Sequence, residues 1–135
     1  MTTSPSLELQ GGIVSRLKSV SEVTSIIGTR VYDPVPGTTV FPYVSFGPRD
    51  EVTDDADCIT GFEITMQLDG WSRAGGFPEI SRLADAVRDA LHGYEFNITA
   101  NALVLFEHRI TRIFRDPDGI TNHAAMTFTA LVEQP

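Results

Sequence analysis

Apolar residues recur along this chain with two different periods. Leu9, Ile13, Leu17 and Val20 are spaced 4, 4 and 3 apart, which places them on one face of an amphipathic helix over 7–20. Gly11 and Gly12 each weaken its first half by about 1 kcal/mol relative to Ala. A second, short helix is expected over 21–27, with Val23, Ile26 and Ile27 turned inward, Ser21 as its cap and Gly28 as its stop. A third follows over 77–92. Pro78 stands near its start, Ile80, Leu83, Ala84, Val87 and Leu91 form its apolar face, and Gly93 ends it. Residues 1–6 read as a frayed tail.

Elsewhere the period is two. Over 42–49, Tyr43, Ser45 and Gly47 alternate with Val44 and Phe46. Over 61–71, Phe62, Ile64, Met66 and Leu68 face one way while Glu63, Thr65, Gln67 and Asp69 face the other. A final strand carries Ala124, Met126, Phe128, Ala130 and Val132 on one side and His123, Thr127 and Thr129 on the other. Short strands are expected over 30–33 and around 94–98, and a long one over 103–115. The order α-α-β-β-β-α-β-β-β, with hairpin-length turns such as Asp116-Pro117-Asp118-Gly119, predicts an α+β fold. Its sheet should be mainly antiparallel, with the helices packed on it. A strand over 61–71 is about 36 Å long at ~3.3 Å per residue. Against a radius of gyration near ~14 Å, such a strand must curve strongly or project.

A length of 135 residues points to one domain, 1–135, able to fold on an ordinary core. The longest unbroken apolar run, 102–106, is far short of a membrane helix, and the N-terminus lacks the pattern of a secretory signal. A single cysteine, Cys58, cannot form an intrachain disulfide, so folding in a reducing compartment is expected. The net charge is −8, with −5 over residues 1–67 and −3 over 68–135. A chain this acidic, without a basic cluster, is a poor reader of nucleic acid and a poor binder of anionic membranes.

Candidate chemistry is sparse. Asp50, Glu51, Asp54, Asp55 and Asp57 form an acid-rich connection, but a hydrolytic acid needs an apolar pocket to raise its pKa, and a solvated loop supplies none. Asp116-Pro117-Asp118-Gly119 fails the calcium-loop pattern, since Ile120, Thr121 and Thr127 occupy the positions that need a ligand, glycine and glutamate. His92, His108 and His123 lack zinc spacing, and Cys58 has no companion thiol. His92 reads as a cation at a helix C-terminus, and His108 and His123 as strand residues. Ser15-Arg-Leu-Lys18 lacks the motifs that accompany a catalytic S-x-x-K. Asn97-Ile-Thr99 is a glycosylation sequon without meaning unless the chain is secreted. No enzyme activity, metal or cofactor is expected.

Contact surfaces are better represented. Trp71 and Arg73, at the end of an over-long strand, have the makings of a binding hot spot, or Trp71 caps the core beside the third helix. Arg109, Arg112 and Arg115 either pair across an assembly interface or are solvated charges along one sheet.

Several stretches, in order, resemble one family: Arg30-Val-Tyr-Asp-Pro-Val-Pro, Phe41-Pro-Tyr-Val-Ser-Phe-Gly, Trp71-Ser-Arg-Ala-Gly-Gly, Arg88-Asp-Ala-Leu-His-Gly and Arg112-Ile-Phe-Arg-Asp-Pro-Asp-Gly-Ile-Thr-Asn-His. Over residues 12–132 the chain resembles the tail-completion, or tail-terminator, proteins of tailed phages, prophages and gene transfer agents. The resemblance implies a structural virion protein, made in the bacterial cytoplasm and located at the head-proximal end of the tail. It implies an α+β subunit of a homo-oligomeric ring, commonly a hexamer, that caps the tail tube protein and meets the head connector, with DNA passing through the lumen. Trp71, Arg73, Arg109, Arg112 and Arg115 are the expected contact residues. Two other readings are a head-side connector or stopper built on the same module, and a small hydrolase using Cys58 or the acidic loop.

Overall fold

The computed structural model describes residues 4–55, 60–96 and 98–134. Along the chain lie α1 (Pro5–Ser19), α2 (Ser21–Ile27), β1 (Val31–Tyr32), β2 (Tyr43–Thr53), β3 (Thr60–Ser72), α3 (Pro78–Leu91), β4 (Ala102–Arg115) and β5 (Asn122–Gln134). The strands form one sheet in the order β1-β2-β3-β5-β4. β1 runs parallel to β2, and every other pairing is antiparallel. The fold is α+β, as the periodicities predict.

The helices lie on one face of the sheet because the apolar stripes have no other surface to cover. Leu9, Ile13 and Leu17 of α1, Val23 and Ile27 of α2, and Ile80, Leu83, Val87 and Leu91 of α3 are all fully buried. They meet Ile64, Met66 and Leu68 of β3, Phe106 of β4, and Ala124, Met126, Phe128 and Ala130 of β5. Each large side chain so buried contributes about 1.5–3 kcal/mol. Gly70 sets how closely α3 approaches. A Cβ there would lie 3.3 Å from both Ile80 Cδ1 and Leu83 Cδ2, so the bare backbone lets the helix rest on the sheet.

Alternation then assigns Glu63, Thr65, Gln67, Asp69 and Trp71 of β3, with His123, Ala125, Thr127, Thr129 and Leu131 of β5, to the opposite face. β4 is the outer strand on one side. On the other, β1 covers β2 only at Val44 and Ser45, so the rest of β2 is also an edge.

Five local expectations are corrected. α1 begins at Pro5, where the Ser4 hydroxyl accepts the Leu7 N–H at 3.3 Å and proline has no N–H to leave unpaired. Pro5 and Ser6 are buried, so residues 4–6 are not a frayed tail, and residues 1–3 lie outside the described residues. Ser21 is not the cap of α2. Val20, extended at φ −90° and ψ 121°, is the whole joint between α1 and α2, and it has no side-chain cap.

The acid-rich connection is shorter than expected, because β2 continues through Asp50 and Glu51 to Thr53. Backbone pairing with β3 is indifferent to charge when the side chains project into solvent. Asp57 and Cys58 lie outside the described residues, as does Asn97 of the sequon. Residues 94–96 and 98 are not strand. Instead, Phe96 packs edge-on against Phe106, and Arg16 lies 3.9 Å above the Tyr94 ring. The Glu8 carboxylate takes the N–H groups of Thr99, Ala100 and Asn101. Partial burial works to raise the Glu8 pKa, but these bonds outweigh it and hold the carboxyl below its usual value. Finally, β3 does not project alone. β5 pairs with it along its full length, from Thr60–Gln134 to Ser72–Asn122.

Candidate functional site

Register across four strands lines up aromatic rings at one end of the uncovered face. Phe114 stands opposite His123, His123 opposite Trp71, and Trp71 opposite Tyr43. The centroids are 4.7 Å apart for Phe114–His123, 3.9 Å for His123–Trp71 and 6.3 Å for Trp71–Tyr43. Phe41 and Tyr32 extend the row beyond Tyr43, at 5.0 and 5.8 Å. Cross-strand pairing supplies this order because opposed positions in an antiparallel ladder bring side chains into contact.

Polar groups fix the rings. Asp69 Oδ1 lies 2.6 Å from His123 Nε2, and Asp116 Oδ1 lies 3.7 Å from Nδ1. Gln67 donates to Asp69 at 2.7 Å, and the Trp71 indole N–H donates to Ser45 Oγ at 2.9 Å. Burial raises the Tyr43 hydroxyl pKa, with Arg73 opposing and Asp116 adding to the rise.

Arg73 borders the row, and Arg115 lies on the opposite face of the sheet. The Arg73 guanidinium lies 4.4 Å from the Phe41 ring centroid, donates to Thr121 Oγ1 at 3.1 Å and approaches Asp118 at 3.9 Å. Arg115 lies 4.7 Å from the Phe77 ring centroid and donates to Asn122 Oδ1 at 3.3 Å. Asn122 in turn donates to the carbonyls of Ala74 and Gly76, both at 2.9 Å, which anchors the loop after β3. In the β4–β5 turn, Gly119 has φ +76°, open to glycine at little cost. The Asp118 carboxylate accepts the Thr121 hydroxyl and the N–H groups of Thr121 and Ile120, and its pKa falls to about 2.

Trp71 and Arg73 are thus brought together, whereas Arg115, opposite Asn122 and so in line with Ser72, lies on the helix side of the sheet. Arg112 lies next along β4, opposite Ala125, and Arg109 stands at a bulge beyond it, 3.6 Å from Glu107. Among the described residues Arg112 has no ionic partner. Trp71 does not cap the core beside α3, because the pleat turns it to the opposite face. Ser72 faces the helix and donates to Glu79 at 2.7 Å. His92 stands at the C-terminus of α3, as expected. Its Nδ1 accepts the His108 N–H at 3.0 Å.

The sequence reading missed the Asp69–His123 pair, because only the register between strands distant in sequence reveals it. Its chemistry is positional. Both ring nitrogens face carboxylates, so neither is turned toward a hydroxyl that it could activate. Among the described residues no group of three or more His, Cys, Asp or Glu side chains could hold a metal. Flat rings edged by the Arg73 guanidinium line this end of the uncovered face.

Residues 11–133 match the family described as "Tail completion protein gp17". No curated protein matches the sequence significantly. A chain of the solved structure described as "Virion of native gene transfer agent (GTA) particle" superposes with a TM-score of 0.90 at 26% identity, over 98% of this chain and 99% of that one. The chain belongs to the tail completion protein gp17 family and is a structural protein of the virion tail.

Proposed function

We propose that this protein is a tail terminator. Copies close into a ring, a hexamer, on the head-proximal end of the tail tube, stop its growth and meet the head connector, and DNA passes through the lumen. The observation that carries this reading is a sheet covered by helices on one face only, with both of its edges open to a neighbour. Glu63, Thr65, Gln67, Thr127 and Thr129 give the uncovered face a polar surface suited to a water-filled channel. A net charge of −8 keeps DNA moving by repulsion rather than holding it. Function then lies in contacts rather than catalysis, with Trp71, Arg73, Arg109, Arg112 and Arg115 among the contact residues.

Negative-stain imaging and light scattering of the purified protein, with and without tail tubes, test the proposal. Rings, or caps on tube ends that fix tube length, are expected. A protein that stays monomeric at all concentrations and ignores tube ends would overturn it.

A further inference from the structure

The two open edges of the sheet are complementary. On the β2 edge, Asp50 and Val52 stand opposite Thr65 and Glu63, so both belong to the uncovered face. On the β4 edge, Ile110 and Arg112 stand opposite Thr127 and Ala125, so they belong to that same face. All four are exposed, Val52 at 59% and Ile110 at 50%. Among the described residues neither Asp50 nor Arg112 has an ionic partner. One edge therefore offers a free carboxylate beside an apolar side chain, and the other a free guanidinium beside an apolar side chain.

The backbone is free over matching lengths. On β4, the Gly93 N–H binds the Phe106 carbonyl and His92 binds the His108 N–H, so the loop after α3 covers the edge up to His108. Beyond it, among the described residues, no other element bonds to the backbone of that edge. Hydrogen-bonded and non-bonded pairs alternate in an antiparallel ladder. Counting from these bonds and through the bulge at Arg109, the N–H and C=O of Thr111, Ile113 and Arg115 point outward. On β2, the Asp54 N–H bond to Gly61 sets the same alternation, which turns those of Arg49, Glu51 and Thr53 outward.

We infer that the contact between neighbouring copies is an antiparallel strand pair, β4 of one protomer with β2 of the next. Arg112 stands opposite Asp50 of the neighbour, and Ile110 opposite its Val52. This deepens the ring reading and rests on it. The register that matches charge with charge also sets Thr111 against Glu51 and Ile113 against Arg49, the residues whose backbone groups point outward on each strand. A parallel arrangement would set Arg112 against Val52 and Ile110 against Asp50. The sheet itself favours the antiparallel choice. β2, β3, β5 and β4 alternate in direction, so a continuous cyclic sheet brings β4 to β2 of the next copy antiparallel. The contact is head-to-tail, each protomer using a different edge on each side, as a closed ring requires.

Charge reversal tests the pairing. Arg112→Glu and Asp50→Lys each place like charges together at every contact, and each should lower the assembled fraction on the order of tenfold. The double variant Arg112→Glu/Asp50→Lys in one chain restores opposite charges at every contact and should recover assembly. In the wild-type protein, assembly should slow amide exchange at 49–53 and 111–115. Circular dichroism establishes that each variant is folded. The inference fails if folded single variants assemble as well as wild type, if the folded double variant assembles no better than the singles, or if exchange at both segments is unchanged. A wild-type protein that never assembles, alone or on tube ends, defeats the ring reading and this contact with it.

Discussion

The His123 imidazole lies flat on the Trp71 indole, ring centroids 3.9 Å apart and planes 15° apart, while its Nε2 stands 2.6 Å from Asp69. One side chain of β5 thereby secures both an aromatic ring and a buried carboxylate of β3. His123→Ala should lower stability by about 1–3 kcal/mol, because the stack is lost and, among the described residues, Asp69 keeps only Gln67 as a side-chain partner. Trp71 is the sole tryptophan, so its emission reports the change directly. Urea unfolding followed by fluorescence measures it, and an unshifted midpoint would refute the structural role.

The Asp118 carboxyl, at about 2 in the folded chain against an ordinary value of 3.8, supports the β4–β5 turn in a pH-dependent way. Its folded pKa lies below the unfolded one, so its contribution is complete above about pH 4 and is lost as pH falls through about 2. Nuclear magnetic resonance should place the Asp118 titration midpoint near 2, with the Ile120 and Thr121 amide signals moving together with it. Asp118→Asn should abolish that shared titration.

Phe128 is fully buried and stacks on Phe106 at 5.4 Å. Phe128→Ala should cost about 3–5 kcal/mol. Val104, on the same sheet but 59% exposed, gives the contrast. Val104→Ser should change monomer stability by no more than about 0.5 kcal/mol. Paired denaturant titrations separate the two.

Gly70→Val should destabilise the fold by about 1–3 kcal/mol, since its branches would meet Ile80 and Leu83, which already lie within contact distance of a Cβ. Gly70→Val combined with Leu83→Ala should recover part of that loss, because the shortened side chain makes room. A single-variant midpoint equal to that of wild type would show that α3 shifts freely.

Side-chain period made most of the architecture legible in advance. Ile64, Met66 and Leu68 on one face of β3, and Ile80, Leu83 and Val87 on one face of α3, are buried where their spacing requires. Boundaries that depend on backbone pairing were not legible. Asp50 and Glu51 look like a loop by composition, yet β3 holds them in strand. The segment around Phe96 has a strand-like sequence, but ring packing and Glu8 hold it instead. At the site, the chain pattern singles out Trp71, Arg73 and Arg115 as separate contact residues. The meeting of Trp71 with His123, Tyr43 and Phe114, beside Arg73, follows from the order β1-β2-β3-β5-β4, which no local pattern encodes, and the same register turns Arg115 to the other face.

That strand order also sets a timetable. β4 reaches the rest of the sheet only through β5, which is made after it and inserts beside β3. A nascent polypeptide that has emerged as far as Arg115 therefore lacks the keystone that would hold β4 in place. The β4 edge of the sheet is thus in place only once β5, the last strand of the chain to be made, has paired with both β3 and β4.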